Sequence, residues 1–106
     1  VRDTGLAKNY SIAVLEDDCR IVDFVEKPKE PRTTIIGTCL YIFPKEVFVK
    51  INEYVNMGMD SDAPGRFIEW LCKNMPVYGY IMHGSWWDIG TLKSYEDAKR
   101  YFAGKR

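Results

Sequence analysis

The sequence predicts an α/β fold, an incomplete mixed sheet with flanking helices. Strand-like and helix-like stretches interleave in the order β-β-β-α-α-β-β-α, which is the pattern of a layered sheet rather than of a bundle or a sandwich. Apolar residues make up 46% of the 106 residues, enough for one modest core and no more than one domain. The helices are too few to cover such a sheet fully, so an unpaired edge or a bare face is expected. Three Trp and seven Tyr imply that much of the buried area is aromatic.

Tyr10 to Leu15 is rich in apolar and aromatic residues and is expected to form a strand. Asp17-Asp18 makes a polar turn, and Arg20 to Lys27 returns as the second strand of a hairpin. Pro28 and Pro31 end it, because proline cannot donate to a ladder. Ile35 to Phe43 is a longer apolar run, expected to be a buried strand. Pro44 opens a helix in which Val47, Phe48, Ile51, Tyr54 and Val55 recur on one face, closed by Asn56 and Gly58. Asp62 suits an N-cap and Pro64 a first turn; Phe67, Ile68, Leu71 and Cys72 give the next apolar face, and Pro76 ends it. Val77 to Met82 is expected to be a strand and Trp86 to Ile89 a short extended piece. The last helix starts near Thr91 or Ser94, with Ser94 and Asp97 spaced as a capping box. Leu92, Tyr95, Ala98, Tyr101 and Phe102 form its inward stripe.

Fifteen basic residues balance fifteen acidic ones without a long run of either sign, which argues against a nucleic-acid or membrane surface. No apolar stretch approaches the ~20 residues of a membrane span, and no signal peptide is evident. Cys19, Cys39 and Cys72 are odd in number and far apart, so reduced thiols in a cytoplasmic protein are expected rather than a zinc site or a disulfide framework.

Four stretches carry a resemblance: Asp23-Phe24-Val25-Glu26-Lys27-Pro28; Gly37-Thr38-Cys39-Leu40-Tyr41-Ile42-Phe43; Asp62 to Leu71; and Val77-Tyr78-Gly79-Tyr80 leading to Trp87-Asp88-Ile89-Gly90-Thr91 and Ser94-Tyr95. In order and spacing the chain resembles the later part of the catalytic domain of sugar-1-phosphate nucleotidyltransferases, such as glucose-1-phosphate thymidylyltransferases and mannose-1-phosphate guanylyltransferases. The resemblance implies that residues 1–106 are the C-terminal portion of a Rossmann-like domain, the half that takes the sugar phosphate, with the nucleotide-binding half absent. Such enzymes join an NTP to a hexose 1-phosphate and release pyrophosphate, with Mg²⁺ offsetting the developing charge. Carried over by position, Glu26 would bond sugar hydroxyls, Lys27 would contact the phosphate, and the backbone at Gly37 would line the pocket. Tyr41 would lie near the phosphate, and Asp88 would be one carboxylate on Mg²⁺.

The sequence also departs from the family. The Gly-rich phosphate loop, its basic residue and the second metal carboxylate are missing, so the isolated chain is expected to be inactive and to meet NTP only with the missing half. Ser11 follows Tyr10 where the family often has glycine, and Cys39 stands where many members have glycine. The sequence opens on Val1, consistent with a piece of a longer domain. Without the resemblance, Glu26-Lys27 is a solvated pair at a strand end, and Asp88 a turn or cap residue before the last helix. His83, the single histidine, is expected to be a turn residue. Two further readings stay open: a non-catalytic module that binds a sugar phosphate, and an oligomerising interaction protein. The uncovered sheet also implies a homo-oligomer or strand-swapped assembly.

Overall fold

The computed structural model describes residues 4–105. It is a small α/β fold with a two-stranded antiparallel sheet and four helices. The first helix, α1 (Thr4–Ala7), is a single turn that the sequence did not announce; it brings Ala7 into the core. Strands β1 (Ser11–Leu15) and β2 (Ile21–Glu26) form the expected hairpin, pairing Ser11 with Glu26, Ile12 with Val25, Ala13 with Phe24 and Val14 with Asp23. A bulge between Val14 and Leu15 shifts the register near the turn. There the Asp18 carboxylate accepts from the Arg20 amide, and Cys19 takes a left-handed φ of 68°.

The next two expected strands are much shorter than their apolar runs. In residues 35–43 only the first part pairs: the Ala13 amide donates to Ile35 O and the Gly37 amide to Ser11 O, with a single bridge between Ile12 and Ile36. Cys39, at φ 60°, then turns the chain, and Leu40 and Ile42 are 75% and 96% exposed. An apolar run is buried only where something lies beyond it, and among the described residues no further strand extends the sheet past this edge. Val77 to Gly79 likewise meets only the start of β2: the Ile21 amide donates to Val77 O, with a single bridge between Tyr78 and Arg20 just before the strand, and Tyr80 is exposed. Trp86 to Ile89 forms no ladder; Trp86 meets the Tyr10 ring edge-on and Trp87 lies against Tyr101 and Phe102.

Helices α2 (Val47–Asn56), α3 (Pro64–Asn74) and α4 (Leu92–Ala103) lie where the periodicity predicts them, with different caps. In α2, Val47 and Tyr54 are buried, but Phe48 and Val55, expected on the same face, are exposed. Gly58 closes the helix at φ 71°, as the sequence requires. Asp62 does not cap α3: its amide donates to Asp60 Oδ1, and Ala63 is the N-cap, with Pro64 filling the first helical position, where a missing N–H is harmless. In α4 the capping box is made by Thr91 and Ser94, whose side chains each accept the other's backbone N–H, three residues earlier than the expected box of Ser94 and Asp97. Asp97 instead pairs with Lys93 and Arg100. Only Ala98 of the expected inward stripe of α4 is buried.

The core lies between the hairpin and α3. Ala13, Ile21, Phe24 and Ile68 form its centre, flanked by Leu15, Ile35, Phe67 and Val77. Tyr54 carries α2 onto α3 by meeting the rings of Phe67 and Trp70. This packing sets the first turn of α3 beside the end of β2.

Candidate functional site

The candidate site is built where β2 ends. Ser11 sits in the middle of three neighbouring backbones. On one side it is the register partner of Glu26, and on the other its carbonyl accepts from the Gly37 amide at 2.9 Å. Ser11 is only 8% exposed, so its hydroxyl needs a protein partner, and its Oγ donates to Glu26 Oε2. The first turn of α3 closes over this pair. A Cβ at Gly65 would overlap Glu26 Oε2 and come within 2.6 Å of Ser11 Oγ, so glycine is what permits the close approach. A carboxylate beside a helix N-terminus is also favoured by the helix dipole. Gly37 is tight as well: a Cβ there would stand 3.1 Å from the Phe24 ring.

The Glu26 amide donates to Glu69 Oε2 at 3.3 Å, and Arg66 lies 3.7 Å from the same oxygen. Glu69 is a partner of Glu26 that sequence reasoning missed. The contact spans 43 positions, and no local signal announces it. In the sequence, Ser11 stands out only as a departure from a position where the family often has glycine. Its place opposite Glu26 is readable from the hairpin, but not its bond to the carboxylate.

Lys27 is exposed and its amide donates to Tyr10 O at 3.1 Å. Adjacent strand residues point to opposite faces, so Glu26 and Lys27 could not serve one ligand on a continuing strand. The strand does not continue: Lys27 has φ 46°, a left-handed conformation uncommon outside glycine, held just before Pro28. Such a residue stores on the order of 1–3 kcal/mol of strain. Its place beside the carboxylate cluster is where a functional bend is expected.

Tyr41 is half-buried and stacks on Phe43 at 5.8 Å. Its phenol oxygen is fully covered and has no hydrogen-bond partner among the described residues. Burial holds the phenol protonated well above its usual range, reinforced by Cys39 and, more weakly, by the negative charge of Glu26. A covered phenol that stays a donor, with only the weakly accepting Cys39 side chain near it, is suited to a stronger acceptor.

The structure therefore brings Gly37 beside Glu26 through Ser11, with Lys27 joined by the chain, and the phenol of Tyr41 feels the charge of Glu26 weakly. Asp88 is placed differently. It is exposed in the irregular segment before α4, and its carboxylate has no partner among the described residues. Among those residues no three potential metal ligands cluster. One free carboxylate still suits Mg²⁺, which commonly takes one or two protein oxygens and completes its shell with water and ligand phosphates. A separate hollow of about 260 Å³ opens between Tyr54, Asp60, Arg66 and Trp70, with Glu69 shared between it and the Glu26 cluster. No described helix is long and apolar enough to cross a membrane.

The family described as Nucleotidyl transferase matches residues 1–104. The chain is 30% identical over 93 residues to the glucose-1-phosphate adenylyltransferase of Fervidobacterium nodosum, covering 84% of this chain and 22% of that protein. It is 29% identical over 105 residues to the bifunctional protein GlmU of Methanocaldococcus jannaschii, covering 99% and 26%. It is 34% identical over 98 residues to the UTP–glucose-1-phosphate uridylyltransferase of a Synechocystis species, covering 90% and 24%. The chain thus spans about a quarter of the length of the curated relatives it matches. No solved structure matches it.

Proposed function

The chain belongs to the nucleotidyl transferase family, and from that premise we propose that it forms the sugar-phosphate side of an enzyme that transfers a nucleoside monophosphate from an NTP to a hexose 1-phosphate. The observation that carries the reading is the grouping at the end of β2: a carboxylate held by Ser11 and Gly65, a bend at Lys27, and the covered, unpartnered phenol of Tyr41. The relatives' names support the chemical class, since they act on sugar 1-phosphates.

In this reading Glu26 accepts from sugar hydroxyls, and the backbone at Gly37 forms the pocket wall. Lys27 places a compact positive charge on the phosphate, and Tyr41 donates to an oxygen of the bound sugar phosphate. These groups hold the sugar phosphate so that one of its oxygens attacks the α-phosphorus of the nucleotide in line as pyrophosphate leaves. Asp88 would hold Mg²⁺, which when bound offsets charge on the phosphates. The nucleotide-binding half lies outside these residues in this reading, so the isolated chain releases no pyrophosphate from NTP and a hexose 1-phosphate. Detectable release from the purified chain would contradict that.

Calorimetric titration with glucose 1-phosphate, with and without Mg²⁺, tests the site. Saturable binding is expected. A charge-assisted hydrogen bond is worth ~1.5–3 kcal/mol, so Glu26→Ala should weaken binding by about 10- to 100-fold. Lys27→Ala should weaken it too. Absence of binding, or equal affinity in both variants, would overturn the assignment.

A second reading, of an oligomerising interaction module, is favoured by the apolar side chains left in solvent. Ile42 is 96%, Tyr80 86% and Phe48 68% exposed. It predicts a concentration-dependent dimer or strand-swapped assembly with no affinity for sugar phosphates. Light scattering alongside the titration separates the two.

A further inference from the structure

We propose that Glu69 is a positioning residue: from α3 it holds the last backbone amide of β2, and so fixes the bend that lets Glu26 and Lys27 serve one ligand. The proposal rests on the sugar-phosphate reading of the site and adds to it a residue that acts through the backbone.

The two edges of β2 differ. Toward β1, the Lys27 amide donates to Tyr10 O at 3.1 Å. Successive amides of a strand point to opposite edges, so the Glu26 amide faces outward. On that outer edge the described chain meets β2 only at its start, where the Ile21 amide donates to Val77 O. At the far end no described backbone group receives the Glu26 amide. Glu69 Oε2 receives it instead, at 3.3 Å. One carboxylate thus does for this amide what a neighbouring strand would do.

The tether matters because of the residue that follows. Lys27 has φ 46°, and a left-handed residue other than glycine persists only where its surroundings over-determine it. Two adjacent amides, one bonded to Tyr10 and one to Glu69, pin the chain across β2 where it bends. Without Glu69 only the bond to Tyr10 is left at these two amides. The chain is then free to relax toward extended backbone, in which adjacent side chains point to opposite faces. Glu69 and Gly65 stand four residues apart, on one face of α3. The helix therefore holds Glu26 twice: Gly65 packs on its carboxylate and Glu69 takes its amide. Arg66, 3.7 Å from Glu69 Oε2, offsets the second negative charge brought to this corner.

The test compares the full chain with its Glu69→Ala and Glu69→Gln variants, by titration with glucose 1-phosphate and by hydrogen exchange at the backbone amides. In the wild type the Glu26 amide should be protected at least about 10-fold over an unstructured amide. Glu69→Ala should speed its exchange about 10-fold and weaken binding about 10-fold. The Ala13 amide, which donates to Ile35 O in the core, should change less than about 2-fold. Glu69→Gln keeps a carbonyl acceptor and should bring both quantities back to within about 3-fold of the wild type. Faster exchange at Ala13 to the same degree as at Glu26 would mean a general loss of stability and would overturn the positioning role. Equal losses in the alanine and glutamine variants would also overturn it, as would an unprotected Glu26 amide in the wild type, which needs no variant to fold. Undiminished binding by Glu69→Ala, beside normal binding by the wild type, sinks the positioning role alone. If the wild type does not bind glucose 1-phosphate, the sugar-phosphate reading fails and the positioning role fails with it.

Discussion

At the scale of single residues, the molecule concentrates its unusual features within a few side chains of Glu26. Gly65 is the most exacting. Replacing a helical glycine by alanine ordinarily stabilises by ~0.5–1 kcal/mol. At Gly65 the new methyl would collide with Glu26 Oε2 and crowd Ser11 Oγ, so Gly65→Ala should instead destabilise by about 1–3 kcal/mol, read from the urea midpoint. It should also weaken hexose 1-phosphate binding. Cys72 gives a prediction of a different kind. Burial pushes its thiol from 9.0 up to about 11, with a smaller contribution from Asp23. The folded state thus favours the protonated thiol. The stability this contributes is complete below pH 9 and is lost as pH rises through 11. A thiol reagent at pH 8 should therefore modify the exposed Cys19 and Cys39 well before Cys72, and Cys72→Ala should flatten the alkaline loss of stability. Equal labelling of all three would contradict this. Glu26 could be singled out in the sequence only through the family resemblance, since its place at a strand end before Lys27-Pro28 reads by itself as a solvated pair. The role of Ser11 was hidden: the hairpin places it opposite Glu26, but only the structure shows that its hydroxyl donates to the carboxylate.

At the scale of elements, helices were readable and long strands were not. The α3 boundaries follow from Pro64 and Pro76, which act locally, and α4 begins at a local cap. The cap assignments slipped because several neighbouring residues can cap: Asp62 found Asp60, and Ser94 found Thr91 rather than Asp97. Strands depend on partners far along the chain. The runs at Ile35 to Phe43 and Val77 to Met82 have strand composition, yet each pairs only over the few residues that reach the hairpin. Periodicity also overstates burial, because it marks a helical face without saying how much of that face is met. Leu71 and Phe48 both sit on expected inward faces, but Leu71 is 1% exposed and Phe48 68%. Leu71→Ala should lower stability by about 2–5 kcal/mol and Phe48→Ala by less than about 0.5, compared by urea denaturation. Similar losses in both would mean that α2 packs more completely than the structure describes.

At the scale of the whole molecule, the hairpin and α3 form a small core that supports one corner of chemistry, while much apolar surface elsewhere stays in solvent. The chain spans about a quarter of the length of its curated relatives. The α/β class could be read from the interleaved elements and the family from four ordered stretches. The small extent of the sheet could not, because strand pairing depends on partners far along the chain that local composition does not announce. The central claim is that a sugar phosphate binds at the end of β2. The most direct test follows backbone amide resonances of the chain during titration with glucose 1-phosphate. Saturable shifts are expected, centred on Ser11, Glu26, Lys27, Gly37 and Gly65, and moved by Glu26→Ala to about 10- to 100-fold higher ligand concentration. Shifts confined to the hollow around Tyr54 and Trp70, or no shifts at saturating ligand, would contradict it.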